Sequence, residues 1–292
     1  MDGIILIDKP LGKTSHDMVY FVRRLTGIKK VGHTGTLDPD ASGVLPVCIG
    51  KATKVCDMLT SSNKRYTATL VLGKTTDTQD ASGNVLTEKE VNVTKEDIEN
   101  IISEFIGEIE QIPPMFSAIK KDGKKLYELA RKGITVEREP RKIKIYSIDI
   151  LDVDLKNDRV TIDVKCSKGT YIRTLCEDIG NRLGCGGYME SLRRTESGGF
   201  EISDCHTLSE LEELKINEQL SSVVIRPDMV FGEYDKVVLN NRLASMHKNG
   251  IKIRISGLAE NKLYRVYDTE SNFLSVSYYN GSELVLKKSF WS

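Results

Sequence analysis

Two hydrophobic rhythms alternate along this chain of 292 residues. The run Ile4-Ile5-Leu6-Ile7 is continuously apolar and is cut off by Asp8-Lys9-Pro10, which predicts a buried strand over residues 3–7. A helical period follows. Val19, Val22 and Leu25 recur at three-residue spacing behind Ser15, a candidate N-cap, and the pattern stops near Gly27. A second helix is expected over Ala52–Thr60. Tyr66–Leu72 alternates with the period of a strand. Thr94–Phe105 reads as a helix in which Thr94 and Asp97 resemble a capping box, with Asp in place of the usual Glu or Gln. Ile143–Leu151 and Arg159–Cys166 predict paired strands around Asn157-Asp158, and Tyr171–Leu183 predicts a helix with Leu175, Ile179 and Leu183 along one stripe.

Strands and helices are mixed without regular β-α alternation, so an α+β fold is expected in preference to a doubly wound sheet. The pattern changes around Arg226-Pro227-Asp228. From about Lys236 it predicts short strands at Ile251–Ile255, Leu263–Asp268, Phe273–Tyr279 and Glu283–Lys287, with turns at Asn249-Gly250 and Asn280-Gly281. This divides the chain into a large domain, residues 1–230, and a small mostly β domain, residues 236–292. A unit of under 60 residues buries little core of its own, so the second domain is expected to lean on the first.

Composition narrows the classes. With 39% hydrophobic and 29% charged residues the chain suits a globular protein. No apolar run approaches a membrane span, and Ile4–Ile7 is too short for a secretory signal, which predicts a cytoplasmic location. The six cysteines form no C-x-x-C pair and are expected to be reduced and mostly buried; the four histidines form no H-E-x-x-H. No metal or cofactor is therefore expected. Gly12-Lys13-Thr14 and Gly73-Lys74-Thr75 echo the end of a phosphate-binding loop, but Ile7 and Ala68 stand where its first glycine belongs. Formal net charge is zero, yet the charge is segregated. Lys120–Lys144 holds ten Lys or Arg against four acids, whereas Glu88–Glu110 holds eight acids against two bases. Such a chain can present a basic groove to nucleic acid.

The chemistry concentrates between Gly32 and Pro46. Gly32, Gly35 and Gly43 admit positive φ or close approach, and Pro39 and Pro46 fix φ, so this loop holds a side chain in place. The side chain so held is Asp38. Aspartate before proline is a common turn former, but it is also ionised at pH 7 and, held dry, can act as nucleophile or base. His33 stands five residues before it. Lys64-Arg65-Tyr66 sets an aromatic beside two cations, a combination suited to stacking on a base and touching phosphate; stacking contributes roughly 1–3 kcal/mol per base.

These fifteen residues resemble the catalytic motif of the TruB-type tRNA pseudouridine synthases at every fixed position. Other segments resemble the same family: Lys9-Pro10 with Gly12 and Ser15, Lys64-Arg65-Tyr66, Gly169–Leu175, and Leu192-Arg193-Arg194 with Gly198 and Phe200. The resemblance covers nearly all of the first 200 residues. It implies a pseudouridine synthase catalytic domain built on a mixed or antiparallel sheet, followed by a PUA-like RNA-binding domain. It implies that Asp38 is the single catalytic aspartate and that Arg173 pairs with it, a fork-shaped cation that orients a carboxylate and keeps it ionised. By the same resemblance Tyr66 packs on a flipped uracil, Leu192 lines the uracil pocket, and His33 helps displace the target nucleotide. Lys64 and Arg65 would contact RNA, and Arg193 and Arg194 would serve phosphates or folding.

Pro113–Lys120 and Gly123–Gly133 resemble the family's tRNA-binding thumb, an insertion over about residues 113–139. The implied activity is isomerisation of uridine 55 in the tRNA T-loop, by base flipping and by cleavage and re-formation of the glycosidic bond at Asp38. The implied partner is the T-stem-loop of tRNA, with no membrane and no obligatory protein partner. A ribosomal-RNA pseudouridine synthase and a tRNA-folding chaperone are the alternatives.

Overall fold

The computed structural model describes residues 1–291. The chain opens with β1 (Gly3–Lys9), whose apolar run is buried. In α1 (Ser15–Thr26) the N-cap is Thr14, not Ser15: Thr14 and Asp17 bond reciprocally as a capping box, and Gly27 ends the helix at φ 73. β2 (Val31–His33) and β3 (Ala41–Ile49) bracket Asp38. The second half of the Gly32–Pro46 segment is therefore strand and not loop, with Pro46 opposite Leu6, and the loop proper is residues 34–40. The helix expected over Ala52–Thr60 starts as a 3-10 turn at Gly50–Val55 and becomes α2 only at Cys56–Thr60. Its buried residues Ala52 and Val55 are three apart, the spacing that a 3-10 turn brings into line.

β4 (Lys64–Leu72) leads to a small hairpin of β5 (Lys74–Thr76) and β6 (Val85–Glu88). In α3 (Lys95–Glu104) Asp97 does complete the capping box with Thr94. After β7 (Gly107–Gln111) the basic segment forms a hairpin, β8 (Lys120–Lys121) and β9 (Lys124–Lys125), turning at Asp122-Gly123 with both residues at positive φ. Short α4 (Leu126–Ala130) follows. β10 (Arg141–Asp154) pairs antiparallel with β11 (Arg159–Cys166), and α5 (Ile172–Arg182) then leads to β12 (Gly187–Ser197) and β13 (Phe200–Glu201).

The main sheet runs β1-β3-β12-β4-β11-β10-β7, with β2 on β3 and β13 on β12. Only the β12–β3 pairing in it is parallel, so the sheet is mixed, as expected. Ile98, Ile102, Leu175 and Ile179 of α3 and α5 pack on Leu70, Ile143, Ile162 and Val164 of the sheet. Met18, Val22 and Leu25 of α1 cover Ile5, Ile7, Leu45 and Val47, together with Leu211 of α6 (Leu208–Ile216).

The C-terminal sheet runs β14-β16-β17-β18-β15, from β14 (Asp235–Val238), β15 (Ile253–Arg254), β16 (Lys262–Tyr267), β17 (Phe273–Tyr279) and β18 (Glu283–Ser289). Between β14 and β15 lies α7 (Asn241–Lys248), which was not expected. Asn249-Gly250 ends that helix, while Asn280-Gly281 does join β17 to β18. Phe273, Val276 and Phe290 of the C-terminal sheet share one cluster with Phe231 and with Ile4, Leu6, Ala52 and Val55, so that sheet packs against the N-terminal part of the chain.

Candidate active site

Several elements tie down the loop around Asp38. Ser15, released from capping, uses its Oγ twice on Leu37: it donates to the carbonyl at 3.0 Å and accepts from the N–H at 2.8 Å. The fully buried Lys9 donates to the carbonyls of Pro10 (2.9 Å), Lys13 (2.5 Å) and Pro39 (3.3 Å). The Gly12 N–H also reaches the Pro39 carbonyl, and the Ala41 N–H reaches that of Asp38. A polar loop beside a sheet is thus held without a regular ladder.

Arg173, on the first turn of α5, meets Asp38 with its Nη2 3.1 Å from Oδ2. The same Nη2 donates to the Phe116 carbonyl at 2.9 Å, inside the basic insertion. Its Nη1 donates to the Thr78 carbonyl at 3.3 Å and lies 3.5 Å from Asp80 Oδ2. The guanidinium is nearly buried, whereas 44% of the Asp38 side chain is exposed. Arg173 acts on Asp38 in the direction of ionisation, against the burial of the site. Surrounding protein raises the Asp38 pKa, Arg173 pulls it down, and Asp80 and Asp40 push it up; the net direction is upward.

Arg194, 1% exposed, closes the other side. It donates from Nε to the Val44 carbonyl at 2.7 Å and from Nη2 to the Gly35 carbonyl at 3.2 Å. Tyr66 stands opposite Arg194 across β4 and β12, and burial raises its hydroxyl pKa with Arg194 beside it. Leu192 is in register with Ala68 on β4 and Ala41 on β3. The structure therefore joins Asp38 to Arg173 directly and packs Tyr66 and Leu192 against one core on the adjoining strands. His33 ends β2 at the same loop. Burial and Arg194 lower its pKa, which favours the neutral ring, and its Nδ1 has no partner among the described residues.

Arg65 does not join this cluster, and Lys64, whose stem runs beside Gly35 near Arg194, spends its ammonium on backbone carbonyls. The Lys64 ammonium, in a residue 6% exposed, donates to the carbonyls of Leu59 (3.3 Å), Thr60 (2.7 Å) and Ser62 (2.5 Å), and burial lowers its pKa to about 8. Arg65 points to the sheet face opposite Tyr66, by strand alternation, and pairs with the buried Asp163 at 2.5 Å. Arg193 pairs with Asp8 at 2.7 Å. Sequence reasoning missed Asp80, whose only signal was its place in the turn-rich run Asp77–Gly83, and it missed that Arg194 is interior. No helix among the described residues is long and apolar enough to cross a membrane.

Comparison with known proteins points the same way. Residues 23–172 match the N-terminal domain of the TruB family pseudouridylate synthases, and residues 173–239 match the C-terminal domain of tRNA pseudouridylate synthase B. The tRNA pseudouridine synthase B of Clostridium novyi is 46% identical over 99% of this chain and 99% of its own length. That of Clostridium kluyveri is 48% identical over 94% of this chain and 95% of its own. Among solved structures, a chain of a Cbf5-Nop10-Gar1 complex superposes with a TM-score of 0.74 at 28% identity, covering 99% of this chain and 85% of that one. A chain of an H/ACA RNP bound to a substrate RNA containing 2′-deoxyuridine does so at 0.73 and 25% identity, with coverage of 99% and 85%.

Proposed function

This chain belongs to the TruB family of pseudouridylate synthases, and we propose that its target is uridine 55 in the T-loop of tRNA, isomerised at Asp38. Isomerisation breaks the N1–C1′ bond, forms a C5–C1′ bond, and moves one proton from C5 to N1. Atoms and electrons balance within the nucleotide, so the reaction calls for positioned side chains and not for a co-substrate. Asp38, aimed by Arg173 and open on one side, starts the cleavage. The flipped uracil covers that open side, stacking on Tyr66 and against Leu192, and removes water from the carboxylate. His33, which ends β2 at the same loop with its ring kept neutral, helps displace the target nucleotide.

The basic insertion grips the phosphates. Lys120, Lys121, Lys124 and Lys132 are exposed along it, and its Phe116 carbonyl is bound to Arg173, so RNA held there lies beside the reacting group. The observation that carries this reading is the Asp38–Arg173 pair, with Tyr66 and Leu192 on the adjoining strands β4 and β12. The test is turnover on an unmodified tRNA transcript against an identical transcript lacking that uridine. Conversion beyond one per enzyme at that position alone supports the reading. Conversion at another uridine, or only in ribosomal RNA, overturns the substrate; tight tRNA binding without conversion favours a folding chaperone.

A further inference from the structure

Asp80 reaches Arg173 from a turn that α5 grips twice. Arg173 holds the Thr78 carbonyl and the Asp80 carboxylate directly. The second grip runs through Gln79, the residue between them. Its amide oxygen accepts from Thr174 Oγ1 at 2.8 Å, and its amide nitrogen donates to Glu177 Oε2. Thr174 and Glu177 stand one and four residues beyond Arg173, and the hydrogen bonds of all three end on the same turn. Gln79 sits at φ 64, a conformation that a non-glycine residue holds only when its surroundings over-determine it. Its backbone is also pinned, accepting from the Met189 N–H at 3.0 Å.

We propose that Gln79 and Glu177 are a positioning pair for isomerisation: they hold the turn that fixes the Arg173 guanidinium against Asp38. The inference rests on the assignment of Asp38 and Arg173 above. Arg173 divides its donors among Asp38, Asp80, Thr78 and Phe116, so its aim depends on where the turn stands. Without the Gln79–Glu177 bond the turn relaxes, the Nη1 side of the guanidinium loses its seat, and Asp38 loses part of its compensating cation. A displacement of this kind near reacting groups costs up to about a hundredfold in rate.

The experiment is single-turnover pseudouridine formation with saturating full-length enzyme, with tRNA Kd and a pH–rate profile measured in parallel. Gln79→Asn shortens the reach while tolerating positive φ, Glu177→Ala removes the acceptor, and Glu177→Gln keeps an acceptor oxygen. We expect Gln79→Asn and Glu177→Ala each to slow the step about tenfold with Kd within about twofold, and to move the acid limb of the profile to higher pH. Glu177→Gln should stay within about twofold of wild type, and the double variant Gln79→Asn/Glu177→Ala should be no slower than the slower single. Single variants at wild-type rate, multiplicative losses, a loss confined to Kd, or Glu177→Gln as slow as Glu177→Ala would each overturn the pair. If the wild-type enzyme converts no uridine, it is the functional reading of Asp38 that falls.

Discussion

Gly43 lies so close to Arg194 that a Cβ on it would stand 2.1 Å from the Arg194 carbonyl oxygen. Gly43 is also at φ 105. The parallel pairing of β3 with β12 at this point depends on both facts, and that pairing puts the Arg194 side chain under Gly35 and beside Tyr66. Gly43→Ala meets backbone rather than a movable side chain, so the strands must separate. The expected loss is about 3 kcal/mol or more in urea unfolding, with activity falling in step with folded fraction. A variant as stable as wild type would contradict this account of the contact.

Asp38→Asn should abolish isomerisation and leave tRNA Kd within about threefold. It should also stabilise the free enzyme at neutral pH. The folded-state pKa of Asp38 is raised, so the folded chain retains a proton that the unfolded chain has released, and this group costs stability as pH rises through its folded pKa. The gain in Tm should therefore be present at pH 7 and vanish toward pH 3. Residual turnover near wild type would remove Asp38 from the chemistry.

The cations differ in kind, and salt dependence separates them. Lys120→Ala, Lys124→Ala and Lys132→Ala remove exposed charges on the basic insertion, and each should lower the slope of log K against log salt by about 1. Lys64→Met should leave the slope unchanged. It orphans carbonyls now held by the buried ammonium and should cost about 1–3 kcal/mol of stability instead. A reduced slope for Lys64→Met would place that ammonium at the RNA.

Asp178 on α5 has its pKa raised to about 6, first by burial and then by the neighbouring Glu177. Its unfolded value is near the ordinary carboxylate range, so between about pH 4 and 6 the folded state binds the extra proton and stability declines as pH rises. Asp178→Asn should remove this decline. At pH 7 the variant should be more stable by about 1–2 kcal/mol, discounted for the group's partial exposure, and it should match wild type at pH 3. Urea midpoints across that range measure the effect, and parallel curves for the two proteins would exclude it.

Local signals in the chain accounted for what depends on neighbours in sequence. The capping box at Thr94, the glycine stop at Gly27, the alternation of Tyr66–Leu72 and the turn at Asn280-Gly281 each follow from a few adjacent residues, and each stands in the structure. The motif around Asp38 was legible for the same reason, being one contiguous segment. What the tertiary structure decided is non-local. β12 carries buried polar residues such as Arg194 and Ser197, so it shows no clean alternation and was invisible until β3 and β4 paired on either side of it. Lys64, Arg65 and Tyr66 are adjacent in sequence, yet a carbonyl cradle, strand alternation and sheet burial send them to three different environments. Asp80 reaches Arg173 across 93 residues, and no local propensity encodes such a meeting. Sequence determined that one aspartate would be held rigidly in a loop; only the packing of α5 and β12 against that loop decided which cations and carboxylates surround it, because burial and charge act through space and not along the chain.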